Sequence, residues 1–153
     1  MEIVELIKKQ LVDNINDSIA KFSTVELPLN DLASKNVIIA DVDPDKYKFD
    51  TMVHVVQGRE TYESLTYSNR VKEATLQITI TIIERGEPNP EKLYLKTVKY
   101  SAAVIDCLLM NSTLGGNAEF IDILESDYSP AVEGSAGLNA IDLTIEVTYQ
   151  KTM

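Results

Sequence analysis

The fold class is decided by the stretch Val71-Lys-Glu-Ala-Thr-Leu-Gln-Ile-Thr-Ile-Thr-Ile-Ile-Glu84, in which apolar and polar residues alternate. Successive side chains of a β-strand point to opposite faces, so a period of two predicts one buried face and one wet face. Such a strand is typical of an antiparallel sheet that is covered on one side only. The predicted buried face holds Leu76, Ile78, Ile80 and Ile82, and the predicted wet face holds Gln77, Thr79 and Thr81.

The same alternation returns near the end of the chain and predicts the last strand. There Ile141, Leu143, Ile145, Val147 and Tyr149 alternate with Asp142, Thr144, Glu146 and Thr148. Less regular segments predict three more strands, at Val37–Ala40, from Tyr47 to about Val56, and at Ala118–Leu124. A stretch rich in Ser, Gly and Pro from Ser126 to Gly137 is predicted to be a loop.

Two other segments have the three- and four-residue spacing of amphipathic helices. The first is predicted to end near Phe22, and its apolar positions are Ile3, Ile7, Leu11, Ile15, Ile19 and Phe22. The second is predicted to follow Asn89, a good N-cap, with Pro90 in the first helical position, and to run to about Met110. Its predicted buried stripe is Leu93, Val98, Ala102, Ile105 and Leu109.

The order of these segments defines the expected architecture. We expect an α+β fold, an antiparallel-rich sheet of about five strands packed with two helices in the order α-β-β-β-α-β-β. No repeat, low-complexity tract or boundary divides the sequence, so residues 1–153 are expected to form a single domain.

The charge of the chain bears on its partners. It has 14 basic and 24 acidic side chains, and a formal net charge of −10. An acidic surface repels phosphate and anionic lipid, so we expect neither sequence-specific nucleic acid binding nor membrane binding. The longest apolar stretch lies within Ser101–Met110 and is interrupted by Asp106, far short of a membrane span.

Residue types with reactive side chains are few. His54 is the single histidine and lies in the middle of a predicted strand, where a packed or edge position is favoured over a catalytic one. Cys107 is the single cysteine and lies in an apolar helical stretch, which favours a core position over a reactive thiol. The sequence therefore predicts no catalytic residues, no enzymatic activity and no cofactor.

Three alternating acids, Asp41, Asp43 and Asp45, resemble the start of a calcium-binding loop. Such a loop also needs Gly at its sixth position and a bidentate Glu at its twelfth, and these positions are Lys46 and Met52. A solvated turn is therefore favoured, and no metal site is predicted.

A polar segment from Gly58 to Arg70 carries residue types that are enriched in protein interfaces. We predict an exposed loop over Gly58–Asn69, with Arg59, Tyr62, Tyr67 and Arg70 as candidate interface residues. The alternative is an ordinary hairpin loop whose tyrosines fold back on the sheet.

The segment order over nearly the whole chain resembles that of the tail terminator, or tail completion, proteins of long-tailed bacteriophages. The stretch Tyr47-Lys-Phe-Asp-Thr-Met-Val-His-Val-Val-Gln-Gly58, leading through the polar loop into Val71–Glu84, is also similar to prophage neck proteins. The resemblance implies a virion subunit of a six-membered ring that caps the finished tail tube and presents a docking face to the head. Its implied partners are further copies of itself, the tail tube protein and the neck or head-completion proteins.

Other functions stay open at this point. The chain could be a different neck or head-completion protein of similar fold, or a ferredoxin-like regulatory domain that binds a small ligand in a polar pocket. An enzyme that uses acidic residues and no cofactor is a third reading. The N-terminal residues are acidic and lack a basic leader before an apolar run, so synthesis and assembly in the host cytoplasm are expected.

Overall fold

The computed structural model describes residues 1–65, 70–129 and 138–153, and these have the predicted α+β architecture. Two helices and five strands follow the predicted order, with two short 3₁₀ turns at Ser34–Asn36 and Pro44–Lys46. The elements are α1 (Ile3–Phe22), β1 (Val37–Ile38), β2 (Thr51–Ser64), β3 (Val71–Glu84), α2 (Pro90–Met110), β4 (Phe120–Ser129) and β5 (Asn139–Thr152).

The strands form one sheet in the order β1-β2-β3-β5-β4. The short strand β1 pairs with β2 in parallel, and every other neighbouring pair is antiparallel. The register places Ile80 between Val55 of β2 and Leu143 of β5. This is the antiparallel-rich sheet that the alternating sequence predicts.

Both helices cover the same face of the sheet, here called the covered face. The predicted apolar residues of β3 and β5 lie on it, and Ile78, Ile80 and Ile145 have no exposed surface. The apolar side of α1 packs against them through Ile7 and Leu11. The predicted assignment of strand faces is therefore confirmed.

The two helices also contact each other through polar groups. Gln10 donates a hydrogen bond from Nε2 to the carbonyl oxygen of Cys107 at 3.0 Å. Asp106 of α2 accepts from Ser18 Oγ at 2.8 Å and pairs with Lys21 Nζ at 3.0 Å. These bonds fix the position of α2 along α1.

Of the five residues in the predicted buried stripe of α2, only Leu93 is buried. Ala102 and Ile105 are half-buried, and Val98 and Leu109 are exposed. The helix packs against both the sheet and α1, and its buried face includes small polar residues that a search for apolar spacing passes over. The residues buried along α2 are Leu93, Thr97, Tyr100, Ser101, Ala103, Val104, Cys107 and Leu108.

Strand β2 is the largest departure from the predicted elements. It begins at Thr51 and continues to Ser64, so the loop predicted over Gly58–Asn69 is wrong for the part up to Ser64. The sequence pattern did not predict this extension because Gly58–Ser64 is polar on both faces of the strand. Its backbone nevertheless pairs with β3 as far as Lys72. A bulge between Gln57 and Glu60 shifts the register once along the way.

Two other strand limits also differ from the prediction. Strand β1 has only two residues instead of the four predicted at Val37–Ala40. Strand β4 extends to Ser129, beyond the predicted end at Leu124, because its polar second half pairs with β5 up to Ala140.

Candidate interaction surface

The face of the sheet opposite the helices, here called the outer face, carries seven of the 24 acidic side chains of the sequence. The register places on it the even-numbered residues of β5 from Ala140 to Gln150 and the odd-numbered residues of β3. No helix of the described residues packs against this face. Its acidic residues are Glu63, Glu73, Asp122, Glu125, Asp127, Asp142 and Glu146.

Arg59 is the single basic residue that the described strands place on the outer face. It lies in the bulge of β2 and lines a shallow depression together with Gln77 and Glu146. It is exposed and makes no ion pair within the described part of the chain. The outer face is therefore a polar surface of net negative charge, with one cation near the open edge of β2.

The sheet ends in two open strand edges. Strand β4 is the last strand on one side, so its outer backbone has no partner among the described residues. On the other side β1 pairs only with Val53 and His54, which leaves β2 uncovered from Val55 to Ser64. Unpaired strand edges present a row of N–H and C=O groups that another chain can pair with.

The four predicted interface residues do not form one loop surface. Arg59 points to the outer face, whereas Tyr62 lies opposite Ala74 on the covered side and is 47% exposed. Arg70 lies in the turn before β3, where its carbonyl oxygen accepts from Met153 N at 2.7 Å. Tyr67 lies outside the described residues.

Tyr62 belongs to a polar cluster at the hairpin end of the sheet, near the start of α1. Glu60 accepts hydrogen bonds from Tyr149 Oη at 2.9 Å and from Lys151 Nζ at 2.7 Å. The Lys151 ammonium also lies 5.6 Å from the centre of the Tyr62 ring. This Glu60 cluster joins β2 directly to β5 across the intervening strand β3.

Ionisation of the Glu60 cluster follows from these contacts. Burial opposes the charge on Glu60, but hydrogen bonds from Lys151, Tyr62 and Tyr149 outweigh it and lower its pKa. Burial and the bond to Glu60 raise the pKa of Tyr149 to about 12. The hydrogen bond to Glu60 raises the pKa of Lys151 as well. At neutral pH the cluster therefore holds a carboxylate, an ammonium and neutral phenols.

A second surface feature is an apolar patch on the helix side of the β4 edge, here called the α2–β4 patch. It consists of Tyr94, Leu95 and Val98 on α2 and Tyr128 on β4, all more than a third exposed. The Tyr94 and Tyr128 rings meet edge to face with their centres 4.9 Å apart. Sequence reasoning missed this patch because it assigned Val98 to the core.

Among the residues considered for catalysis, His54 and Cys107 are both buried. His54 is 1% exposed, and neither of its ring nitrogens has a hydrogen-bond partner within the described chain. Burial lowers the pKa of His54, although Asp41, 4.0 Å away, opposes the shift. Burial raises the pKa of the Cys107 thiol to about 12, so at neutral pH it is not a nucleophilic thiolate.

The three alternating acids before β2 have separate partners. Asp43 accepts a bond from Asp45 N at 3.0 Å and caps a 3₁₀ turn, while Asp45 lies 3.5 Å from Arg85. Asp41 lies near His54, as described above. Within the described residues, no group of three or more His, Cys, Asp or Glu could hold a metal ion.

Glu84 is a buried acid that the sequence did not single out. It has no exposed surface, accepts bonds from Thr51 Oγ1 and from Gly86 N at 2.9 Å, and lies 4.0 Å from Lys96 Nζ. Burial raises the pKa of Glu84 in spite of these contacts. Glu84 lies at one end of the covered face, where β2, β3 and α2 meet.

A groove with a volume of about 390 Å³ lies between α1 and the turn that follows α2. Its charged residues Lys9 and Asp13 pair with each other at 2.5 Å. Gln10 is already bonded to α2. Asn14, Asn111 and Asn117 also line this groove, so its wall is polar.

Comparison with known proteins identifies structures of similar fold. No protein-family model matches the chain, and no curated protein matches it. The chain is similar to a chain in the virion of a native gene transfer agent particle, with a TM-score of 0.58 and 15% sequence identity over 97% of this chain and 94% of that one. The two chains therefore share a fold over nearly their whole lengths.

A second solved structure is more distant. It is the sheath/tube terminator of an extracellular contractile injection system, in the extended state, with a TM-score of 0.49 and 12% identity. The match covers 95% of this chain and 56% of that one, so this chain spans little more than half of that protein. Separately, no helix among the described residues is long and apolar enough to cross a membrane.

Proposed function

We propose that this chain is a structural virion subunit that forms a six-membered ring, caps the phage tail tube and joins the tube to the head, as a tail terminator does. The ring is built from copies of the chain as a single domain, and the subunit performs no reaction. It is synthesised and assembled in the cytoplasm of the bacterial host and remains in the virion.

The observation that carries this proposal is the asymmetry of the sheet. One face is sealed by both helices. The other is acidic and bounded by two open edges, and no helix of the described residues covers it, although Met52, His54 and Ile83 are buried at one end of it. A ring whose outer sheet faces point inward would line its channel with carboxylates such as Asp122, Asp142 and Glu146. Carboxylates repel DNA phosphates, so DNA could pass through the channel without binding.

The shared fold supports the same reading. The gene transfer agent chain that matches over nearly its whole length belongs to a virion. The second structure is described as a sheath/tube terminator, but its likeness is too weak to add to the argument. Fold alone does not fix function, so the proposal depends on the surface of this chain and on assembly experiments.

The proposal names three kinds of protein partner. Each subunit contacts two copies of itself through two different patches, as a closed ring requires. One rim of the ring meets the tail tube protein, and the other meets neck or head-completion proteins. The proposal includes no sequence-specific nucleic acid partner and no membrane.

Electron microscopy of the purified protein mixed with tail tubes tests the proposal. We expect rings of six copies, each of 17.0 kDa, bound at one end of the tube. Sedimentation would give the mass of the free protein under the same conditions. A protein that stays monomeric with tubes present, or that binds a small ligand stoichiometrically instead, would contradict the proposal. A ring bound to heads but never to tubes would favour a different neck component.

A further inference from the structure

We propose that neighbouring subunits of the ring join by antiparallel pairing of the β4 edge of one copy, over Phe120–Ser126, with the β2 edge of the next, over Val55–Thr61. In this pairing Arg59 of one copy faces Asp122 of its neighbour. The inference rests on the proposed ring and specifies how the ring is held together.

The directions of the strands fit this contact. Each of the steps from β2 to β3, from β3 to β5 and from β5 to β4 is antiparallel, so β2 and β4 run in opposite directions. Rotation about a ring axis preserves the direction of a strand along that axis. The β4 edge of one copy therefore meets the β2 edge of the next in antiparallel orientation, in which main-chain hydrogen bonds lie straight across the gap.

The two edges overlap over part of their lengths, and their bends agree. Residues that the strand register places side by side across the sheet are here called level with each other. Phe120–Ser126 of β4 is level with Val55–Thr61 of β2, whereas Asp127 and Tyr128 are level with His54 and Val53, which pair with β1. Each edge has one bulge, at Leu124 in β4 and at Gly58-Arg59 in β2, and the register places the bulges within two residues of the same level. Both edges therefore bend at nearly the same height.

The register then identifies which residues face each other. Asp122 is level with Glu146, Glu146 is level with Gln77, and Arg59 lies in the bulge opposite Gln77. Copies in a ring differ by a rotation alone, so residues at one level in one copy lie at that level in the next if the strands follow the axis. Arg59 and Asp122 then meet on the same face of the joined sheet.

Charge on the two edges is complementary. Arg59 is exposed, without an ion pair in the described chain, and β4 presents Asp122, Glu125 and Asp127 on the same face. No Lys or Pro, two of the residues by which proteins commonly protect open edges, occurs in Phe120–Ser129. The α2–β4 patch borders this edge on the other face, so a neighbouring copy paired with β4 would lie against it.

A charge exchange tests the predicted contact. We expect Arg59→Asp or Asp122→Arg alone to raise the protein concentration needed for ring assembly by about tenfold or more, because like charges then face each other. Combining the two substitutions should restore assembly. Lys46→Asp is the matched control, because it makes the same charge change as Arg59→Asp at an exposed residue of the 3₁₀ turn Pro44–Lys46, outside both edges, and should leave assembly unchanged.

Cysteine cross-linking tests the register independently of charge. Thr61 and Phe120 lie at one level on the outer face, on opposite edges of the same copy. Three strand spacings, about 14 Å, separate them within a copy, too far for a disulfide. Thr61→Cys with Phe120→Cys should therefore give an oxidised ladder of covalent oligomers that ends at the closed ring, while the buried Cys107 stays unreacted.

The control for the cross-link moves one cysteine along the strand. Glu63→Cys with Phe120→Cys places the first thiol two residues, about 7 Å, further along β2 and should give no ladder. Intact rings that neither respond to the charge exchange nor cross-link at Thr61 and Phe120 would overturn the edge pairing while leaving the ring in place. Absence of rings in the unmodified protein, even with tail tubes, would instead refute the proposed function.

Discussion

The two faces of the sheet are made by alternate residues of the same strands, yet they have opposite environments. On the covered face Ile80 and Ile145 have no exposed surface, whereas their neighbours Thr79 and Thr144 on the outer face are only partly buried. The backbone is common to both faces, so the difference arises from side-chain chemistry and from the position of the helices. One face stabilises the fold, and the other is available for partners.

The two faces of the sheet also carry acidic residues in different environments. Glu84 on the covered face is fully buried, and its carboxylate depends on specific donors. Asp122 and Glu125 on the outer face are exposed, and neither makes an ion pair with another described residue. Substitutions should therefore change stability on one face and assembly on the other.

The largest expected effect comes from deleting core volume. Ile80→Ala or Ile145→Ala removes buried methyl groups and leaves a cavity, so each should lower the free energy of unfolding by about 2–5 kcal/mol. Thr79→Ala and Thr144→Ala are the matched controls on the outer face, each expected to cost less than about 1 kcal/mol. Urea unfolding of the four variants measures this, and equal losses on the two faces would mean that the outer face is also packed.

An intermediate effect is expected at the buried acid. Lys96→Met removes the cation nearest to Glu84 and should cost about 1–3 kcal/mol, the usual penalty for an unsatisfied buried group. Glu84→Gln added to Lys96→Met should recover most of that loss, because no charge then remains buried. A double-mutant cycle of unfolding free energies that shows no coupling would contradict the contact.

The pH dependence of Glu84 has a definite sign. Its pKa is raised on folding, so its favourable contribution is present below the ordinary value of 4.5 and is lost as pH rises through the folded value. The unmodified protein should therefore lose stability relative to Glu84→Gln as pH rises above 4.5. A constant difference across that range would argue against the raised pKa.

A smaller effect of opposite sign is expected for the Glu60 cluster. The pKa of Glu60 is lowered on folding, so its contribution is present above 4.5 and is lost as pH falls through the folded value. Glu60→Gln should cost about 1 kcal/mol at neutral pH, because it weakens the charge-assisted bonds from Tyr149 and Lys151, and almost nothing in acid. Thermal melts of both proteins over the acid range measure the difference.

The smallest effect on stability is expected at the hairpin residues. Tyr62→Ala with Tyr67→Ala, or Arg59→Glu with Arg70→Glu, should change the free energy of unfolding by about half a kcal/mol in a surface setting. The same variants should impair ring formation or tail attachment, since interface tyrosines and arginines can each contribute about 2 kcal/mol. Normal tail attachment by both double variants would mean that these residues do not take part in assembly. A large drop in melting temperature of the tyrosine variant would mean that the tyrosines stabilise the fold.

The candidate surface was less predictable from the sequence than the fold. Arg59 and Tyr62 were identified by residue type, but their placement on opposite faces required the bulge in β2. The α2–β4 patch was missed because helical periodicity alone did not show that α2 also packs on α1. Partners outside the chain leave no periodic pattern in its sequence, so edges and patches become visible only when the strands are placed.

The sequence by itself determined the features that depend on local, periodic patterns of residues. The alternation in Val71–Glu84 and Asn139–Thr152 assigned each side chain to a face, because the period of a strand is fixed at two. The start of α2 followed from its capping residue Asn89, whose side chain accepts from Lys92 N at 3.1 Å.

Only the tertiary structure determined which faces and strand edges remain exposed once the helices and strands have packed. The extension of β2 beyond Val56 depends on pairing with β3, since that half of the strand has no apolar face of its own. The strand order β1-β2-β3-β5-β4 sets which edges stay open and which residues share a level. These are relations between segments far apart in the chain, so no local pattern encodes them, and the proposed ring contact depends on them.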